Sequence, residues 1–126
     1  MHSDRFRAAA EAKDFSQLGE LTTEDVSFRS PVVFKPYEGR DALEGLLTAV
    51  LQVFEDFRYV DQVESGRTAV LLFQARVRER ELDGADILRF DDQERIAELM
   101  VMVRPMSGVR ALAEAMQRKL EEAGAL

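Results

Sequence analysis

One acid in this chain stands where an apolar residue is expected. Asp86, Leu88 and Phe90 alternate with Ile87 and Arg89. In an extended chain, residues two apart share a face. Asp86 is therefore aimed at the same side of its strand as Leu88 and Phe90, the inside of a curved sheet. Burial among apolar groups disfavours a charged carboxylate and raises its pKa. Such a group can act as an acid, a base or a hydrogen-bond donor near neutral pH. The structural alternative is that Asp86 accepts backbone hydrogen bonds near Asp83-Gly84 or pairs with an arginine across the sheet.

Other chemistries are closed by composition. The single histidine is His2, next to the start of the chain, and there is no cysteine. Ser-His, Cys-His and His-metal sites are excluded, and no metal-binding, P-loop or dinucleotide-binding spacing occurs. Any reaction must use Asp, Glu, Arg, Lys, Tyr or backbone groups, and no cofactor is called for. With 24 acidic and 17 basic residues the net charge is −7. The basic residues of Arg76–Glu81 are interleaved with acids, so the chain lacks the concentrated positive field that nucleic-acid binding needs. No apolar run approaches the roughly 20 residues of a membrane span. With no signal-type segment at Met1–Arg5, a cytoplasmic protein of one domain is expected.

The elements that must position Asp86 read as a three-strand meander. Thr68–Arg78 carries Ala69, Leu71, Phe73, Ala75 and Val77 on one face. Leu82–Phe90 follows. Arg95–Arg104 carries Ala97, Leu99, Val101 and Val103 on one face, with Glu98, Met100, Met102 and Arg104 on the other. Asp91–Glu94 is a polar turn, and Ser65-Gly66-Arg67 a hairpin connection to a strand over 56–64 with Phe57, Tyr59, Asp61 and Val63 on one face. Upstream, residues 3–13 form a helix, Ser16–Leu21 a helical turn, and Glu24–Ser30 a strand with Val26 and Phe28 inward. Val32–Lys35 reads as a short edge piece after Pro31, and Pro36–Gly39 as a turn. Arg40–Phe54 is an amphipathic helix with Leu43, Leu46, Leu47, Val50, Leu51 and Phe54 in one stripe. A last helix, capped by Ser107, aligns Val109, Leu112, Ala113, Met116 and Leu120. Helices on one face of a largely antiparallel sheet make an α+β fold.

The other face of the meander keeps Val70, Leu72, Ile87, Met100 and Met102, rimmed by Arg76, Arg89, Glu98 and Arg104. An apolar patch with a charged rim predicts a homodimer interface, and the methionines suit adaptable contact. Cover by the C-terminal helix is the alternative.

The element order resembles the nuclear transport factor 2-like superfamily, and most of all its SnoaL-like branch. The resemblance rests on Val26-Ser27-Phe28-Arg29-Ser30-Pro31-Val32, on Tyr37-Glu38-Gly39-Arg40-Asp41-Ala42-Leu43, on Asp83-Gly84-Ala85-Asp86-Ile87-Leu88-Arg89-Phe90-Asp91, on Arg95-Ile96-Ala97-Glu98-Leu99 and on Val103-Arg104-Pro105. It implies a cone-shaped α+β barrel: a curved sheet wrapped around the N-terminal and central helices, with an extra C-terminal helix and a pocket inside the cone. It also implies pairing through the outer face and a small, largely apolar ligand. The pocket-lining candidates are then Tyr37, Tyr59, Phe28, Leu47, Phe73 and Phe90, with Asp86 as the candidate acid or base. Arg104 anchors an anion only if a bulge reverses its face.

Three functions stay open under the resemblance: a cofactor-free lyase or isomerase in which Asp86 moves a proton, a non-catalytic binding or assembly module, and an epoxide hydrolase. The last needs an Asp-Arg-Asp set. Histidine-dependent dehydratase chemistry has no residue to use. The general base of ketosteroid isomerase has no matching acid at Ser30-Pro31-Val32.

Overall fold

A single curved sheet of six strands frames the fold. The computed structural model describes residues 1–124, and in chain order these form α1 (Asp4–Ala12), α2 (Leu18–Leu21), β1 (Thr22–Arg29), β2 (Tyr37–Glu38), α3 (Arg40–Val53), β3 (Glu55–Ser65), β4 (Thr68–Val77), β5 (Arg80–Phe90), β6 (Ile96–Arg104) and α4 (Met106–Glu122). The six strands lie in the order β2-β1-β6-β5-β4-β3. All neighbours pair antiparallel except β1 and β6, which run parallel. The architecture is the α+β cone expected from the sequence. Among the described residues no helix is long and apolar enough to cross a membrane.

The meander is held by short turns. Gly66 takes a φ of 59° between the paired residues Ser65 and Thr68, a backbone region that glycine enters without a Cβ penalty. Asp91 closes the β5–β6 turn: its side chain accepts the backbone N–H groups of Gln93 and Arg95, both at 2.9 Å. β4 pairs with β5 without a register break from Thr68–Arg89 to Val77–Arg80. Strict alternation then buries Ala69, Leu71, Phe73, Ala75 and Val77 on the concave side.

Two breaks in pairing decide which side chains face the helices. β3 shifts register against β4 between Tyr59 and Asp61, and β6 shifts against β5 between Arg89 and Phe90. The first corrects the expected face of β3. Phe57 and Tyr59 turn inward, but beyond the bulge Gln62 and Glu64 are the half-buried residues, and Asp61 and Val63 are exposed. An extra residue inverts the parity of every residue after it. The second break buries Ile96 rather than Ala97 at the start of β6.

Three other boundaries differ from expectation. Val32–Lys35 forms no strand. The edge strand is Tyr37–Glu38, paired with Ser27 and Phe28. Pro31 and Pro36 lack the N–H a ladder needs, and Ser30 Oγ takes up the N–H groups of Val32 and Val33 at 3.3 and 2.9 Å. α4 begins two residues earlier than a Ser107 cap implies, with Pro105 at the cap position. It packs on α3 and on the concave sides of β4, β5 and β6. The outer face of the meander is therefore left uncovered among the described residues.

The core fills the concavity. Phe6 and Ala10 of α1, Phe15, Leu18 of α2, Leu43, Leu47 and Leu51 of α3, and Ala111 and Leu112 of α4 meet the inward residues of β1, β4, β5 and β6 in one apolar cluster. Phe73, Leu18, Leu43, Leu71, Leu88 and Leu99 are each almost wholly shielded from solvent. Burying a side chain of this size stabilises the fold by roughly 1.5–3 kcal/mol.

Candidate functional site

The core does not close completely. A chamber of about 300 Å³ remains between the concave sheet, α1, α3 and α4, lined almost entirely by apolar side chains. Among the described residues, Asp86 is the only carboxylate in its lining.

Register explains how Asp86 comes to be there. It pairs with Leu71 on β4 and Val101 on β6. Both neighbours share its concave face, and β5 has no irregularity at this point. Its side chain is 7% exposed. Two residues upstream on the same face is Gly84, opposite Phe73. A Cβ at Gly84 would sit 2.0 Å from the Phe73 ring. The missing side chain is what allows that ring to lie flat on the sheet beside Asp86.

Phe73 heads an aromatic wall. Its ring centroid is 5.0 Å from that of Phe57 and 5.6 Å from that of Phe54. Tyr59 stands edge-on to Phe57, at 5.0 Å, and to Phe73, at 6.4 Å. These contacts direct the Tyr59 hydroxyl to Asp86, where it donates to Oδ2 at 2.7 Å. This is the one hydrogen bond the Asp86 side chain makes among the described residues. The structural alternative of a carboxylate saturated by backbone donors, or paired with an arginine, is not what the fold builds.

The electrostatics follow from this isolation. Burial pushes the Asp86 carboxyl up to about 7, and the Tyr59 hydrogen bond pulls it part of the way back. The Tyr59 phenol is itself raised, first by burial and then by the adjacent carboxylate. Near neutral pH, Asp86 is populated in both protonation states while Tyr59 stays neutral. Oδ2 is engaged by the phenol, and Oδ1 is left for a ligand. Ionised, Oδ1 can take a proton; neutral, the carboxyl can donate one.

The remaining polar groups of the lining are Ser30, Tyr37 and Gln117. Ser30 is committed to its loop. Gln117 on α4 reaches Glu121 at 3.2 Å. Tyr37 packs on Phe28 with ring centroids 6.2 Å apart.

The residues singled out from sequence separate into three places. Tyr37, Tyr59, Phe28, Leu47, Phe73 and Asp86 line the chamber. Phe90 does not. It is buried at the far end of β5 against the His2 ring, 5.9 Å between centroids. Four residues of strand put it about 13 Å from Asp86. Arg104 is also outside. β6 runs regularly from Glu98 to Arg104, so no bulge turns its face. Its side chain is 71% exposed and its Nη1 bonds Asp83 Oδ2 at 2.7 Å. Among the described residues no arginine lines the chamber.

Val70, Ile87 and Met100 lie directly opposite one another on the outer face, as do Leu72, Ala85 and Met102. These two cross-strand rows make a continuous apolar strip, in which Leu72 is 41% and Met102 55% exposed. Sequence reasoning missed the parts of the lining supplied by irregular chain, Pro31 to Val33, and the polar neighbours Arg7 and Gln62. The first has no periodicity to read. The second depends on the β3 bulge.

A family model described as the SnoaL-like domain matches residues 4–99. A solved structure described as a steroid delta-isomerase from Pseudomonas aeruginosa is 46% identical. The match covers 99% of this chain and 93% of that one, with a TM-score of 0.94. A protein from Silicibacter pomeroyi, uncharacterised and described as having a cystatin-like fold, is 32% identical over 95% of this chain and 85% of its own, with a TM-score of 0.90. A nuclear transport factor 2-like protein of unknown function from Mesorhizobium loti shares the fold at 22% identity. It covers 82% and 88% of the two chains, with a TM-score of 0.73. No curated protein gives a significant match.

Proposed function

The chain belongs to the SnoaL-like domain family of the nuclear transport factor 2-like superfamily, and on that premise we propose a cofactor-free isomerase or lyase that moves a proton on a small, largely apolar ligand. The observation that carries the reading is Asp86: a carboxyl balanced near neutrality in an apolar chamber, with one oxygen held by Tyr59 and the other free. For a carbonyl ligand the chemistry balances without a cofactor. Ionised Oδ1 takes a proton from the carbon next to the carbonyl, leaving an enolate and a neutral carboxylic acid. The same acid returns the proton to a different carbon of the conjugated system. The bond order shifts and nothing is consumed. The 46% identity to a protein described as a steroid delta-isomerase favours isomerisation over elimination.

The protein would work as a single-domain homodimer in the cytoplasm, paired through the strip around Met100 and Met102. A binding or assembly module is the second reading. It is favoured by the lack of a second carboxylate among the described lining residues, which leaves one group to do all the proton handling. An epoxide hydrolase is disfavoured, since no arginine among the described residues reaches the chamber.

The test uses a β,γ-unsaturated ketosteroid as probe and follows the absorbance of the conjugated product. Turnover should appear with the natural sequence and fall by about 10²–10⁴-fold in Asp86→Asn. Binding of the probe without turnover in either protein would replace the enzyme with the binding module.

A further inference from the structure

A cation outside the chamber is built onto the back of Tyr59. Beyond the β3 bulge, Gln62 and Glu64 face α1. The Glu64 carboxylate accepts the backbone N–H groups of His2 and Ser3, at 3.2 and 2.9 Å, and the Ser3 hydroxyl. It thereby satisfies donors at the start of α1 that no residue of the helix itself caps. Gln62 Nε2 donates to Ser3 Oγ at 2.6 Å and to Asp4 Oδ1 at 2.9 Å. Its Oε1 accepts from Arg7 Nη1 at 3.0 Å. Arg7 Nε meets Glu11 Oε2 at 3.4 Å. Gripped at both ends, the Arg7 guanidinium lies with Cζ 5.5 Å from the centroid of the Tyr59 ring.

Arg7 is not in the chamber lining. We propose that Arg7 is a positioning residue for Asp86, acting through Tyr59: it fixes the plane of the ring so that the hydroxyl holds Oδ2 and leaves Oδ1 to the ligand. A guanidinium over an aromatic ring is attracted to its π face. It also draws electron density from the phenol, which makes the O–H a better donor. Arg7 favours the ionised phenol while Glu11 opposes it. The charged groups acting on Tyr59 are Arg7 and Glu11 from α1 and Asp86 from β5. Asp4, also on α1, feels the Arg7 guanidinium, Glu64 of β3 is held by His2 and Ser3, and Tyr37 lines the same chamber. The bulge gives the arrangement its logic. Without it Asp61 and Val63 would face α1, and the Gln62 amide that links Arg7 to Ser3 and Asp4 would be lost.

The role of Arg7 rests on the reading of Asp86 as the working acid and base, but its test does not need turnover. The ionisation midpoint of Asp86 can be followed in ligand-free protein by ¹³C NMR of the labelled aspartate carboxyls over pH 4–9. Arg7→Met should raise that midpoint by about half a unit, because a looser Tyr59 donates less well to the ionised carboxylate. Arg7→Lys keeps the charge but loses the planar stack, and should raise it by less. In a Tyr59→Phe background, Arg7→Met should add nothing further. An unmoved midpoint in Arg7→Met overturns the proposal. So does an equal movement with Phe at 59, which would make Arg7 a direct field on Asp86. Should Arg7→Met fail to fold, Arg7→Lys carries the same two comparisons. Absence of turnover in the natural protein would sink the enzyme reading and leave these shifts in place.

Discussion

Replacing Asp86 by asparagine should make the protein more stable at alkaline pH, and by an amount that depends on pH. The folded carboxyl titrates at about 7 against 3.8 for an ordinary aspartate. Between those values the folded state holds a proton that the unfolded chain has released. Unfolding stability then falls as pH rises through this window. It is full below pH 4, declines through pH 5 and 6, and reaches its lower plateau above pH 7. A separation of about three units, at about 1.4 kcal/mol each, makes the loss about 4 kcal/mol. Asparagine matches the neutral acid in shape and keeps an oxygen for the Tyr59 hydroxyl, but it never ionises. Urea denaturation of both proteins from pH 4 to 9 measures the difference directly. The two should be within about 1 kcal/mol of each other at pH 4, and the variant ahead by up to about 4 kcal/mol at pH 8. A variant less stable than the natural protein at pH 8, or a gap independent of pH, would show the carboxylate to be a satisfied structural ion. Asp86 would then not be the isolated, proton-holding group that its surroundings imply.

Two further outcomes test the frame around this group. Gly84→Ala places a methyl 2.0 Å from the Phe73 ring, which can escape only by breaking its packing on Phe54, Phe57 and Tyr59 and moving into the chamber. Overpacking of this kind costs about 1–3 kcal/mol, and a denaturation midpoint unchanged by the substitution would mean the ring is not fixed on the strand. Met102→Glu puts a charge into the exposed strip of the outer face and should shift sedimentation from dimer toward monomer, with no change in the folded monomer. A natural protein that sediments as a monomer removes the interface altogether.

Why Asp86 is legible from sequence and Arg7 is not comes down to regularity. Asp86, Leu88, Leu71, Phe73 and Val101 all lie on stretches of uninterrupted pairing. There the two-residue period of a strand reports the face without ambiguity, and a single acid among apolar neighbours stands out. The amphipathic stripe Leu43, Leu47 and Leu51 is readable for the same reason at the helical period. At the β5–β6 break simple alternation puts Ala97 inward where Ile96 is buried instead. Phe90 keeps the inward face that alternation gives it, but lies too far along β5 to reach the chamber. Asp61 and Val63 lie just past the β3 break, where alternation points to the wrong side. A bulge leaves no mark in composition or hydropathy. The residues after it simply face the other way.

That same break does more than mislead. It turns Gln62 and Glu64 toward α1, where they satisfy the start of the helix and hold Arg7. A regular β3 would present Asp61 and Val63 there instead. A valine cannot cap a helix, and Asp61 alone could not serve both Ser3 and Arg7. α1 contributes Phe6 and Ala10 to the chamber, so the docking that encloses the ligand space and the contact that steadies Tyr59 have one origin. An irregularity in one strand thus ties the wall of the chamber to the geometry of Asp86. Loosening the α1–β3 seam, for example at Glu64, should therefore disturb the Tyr59–Asp86 pair before it disturbs the meander that carries Asp86, since β4, β5 and β6 pair with one another and not with α1.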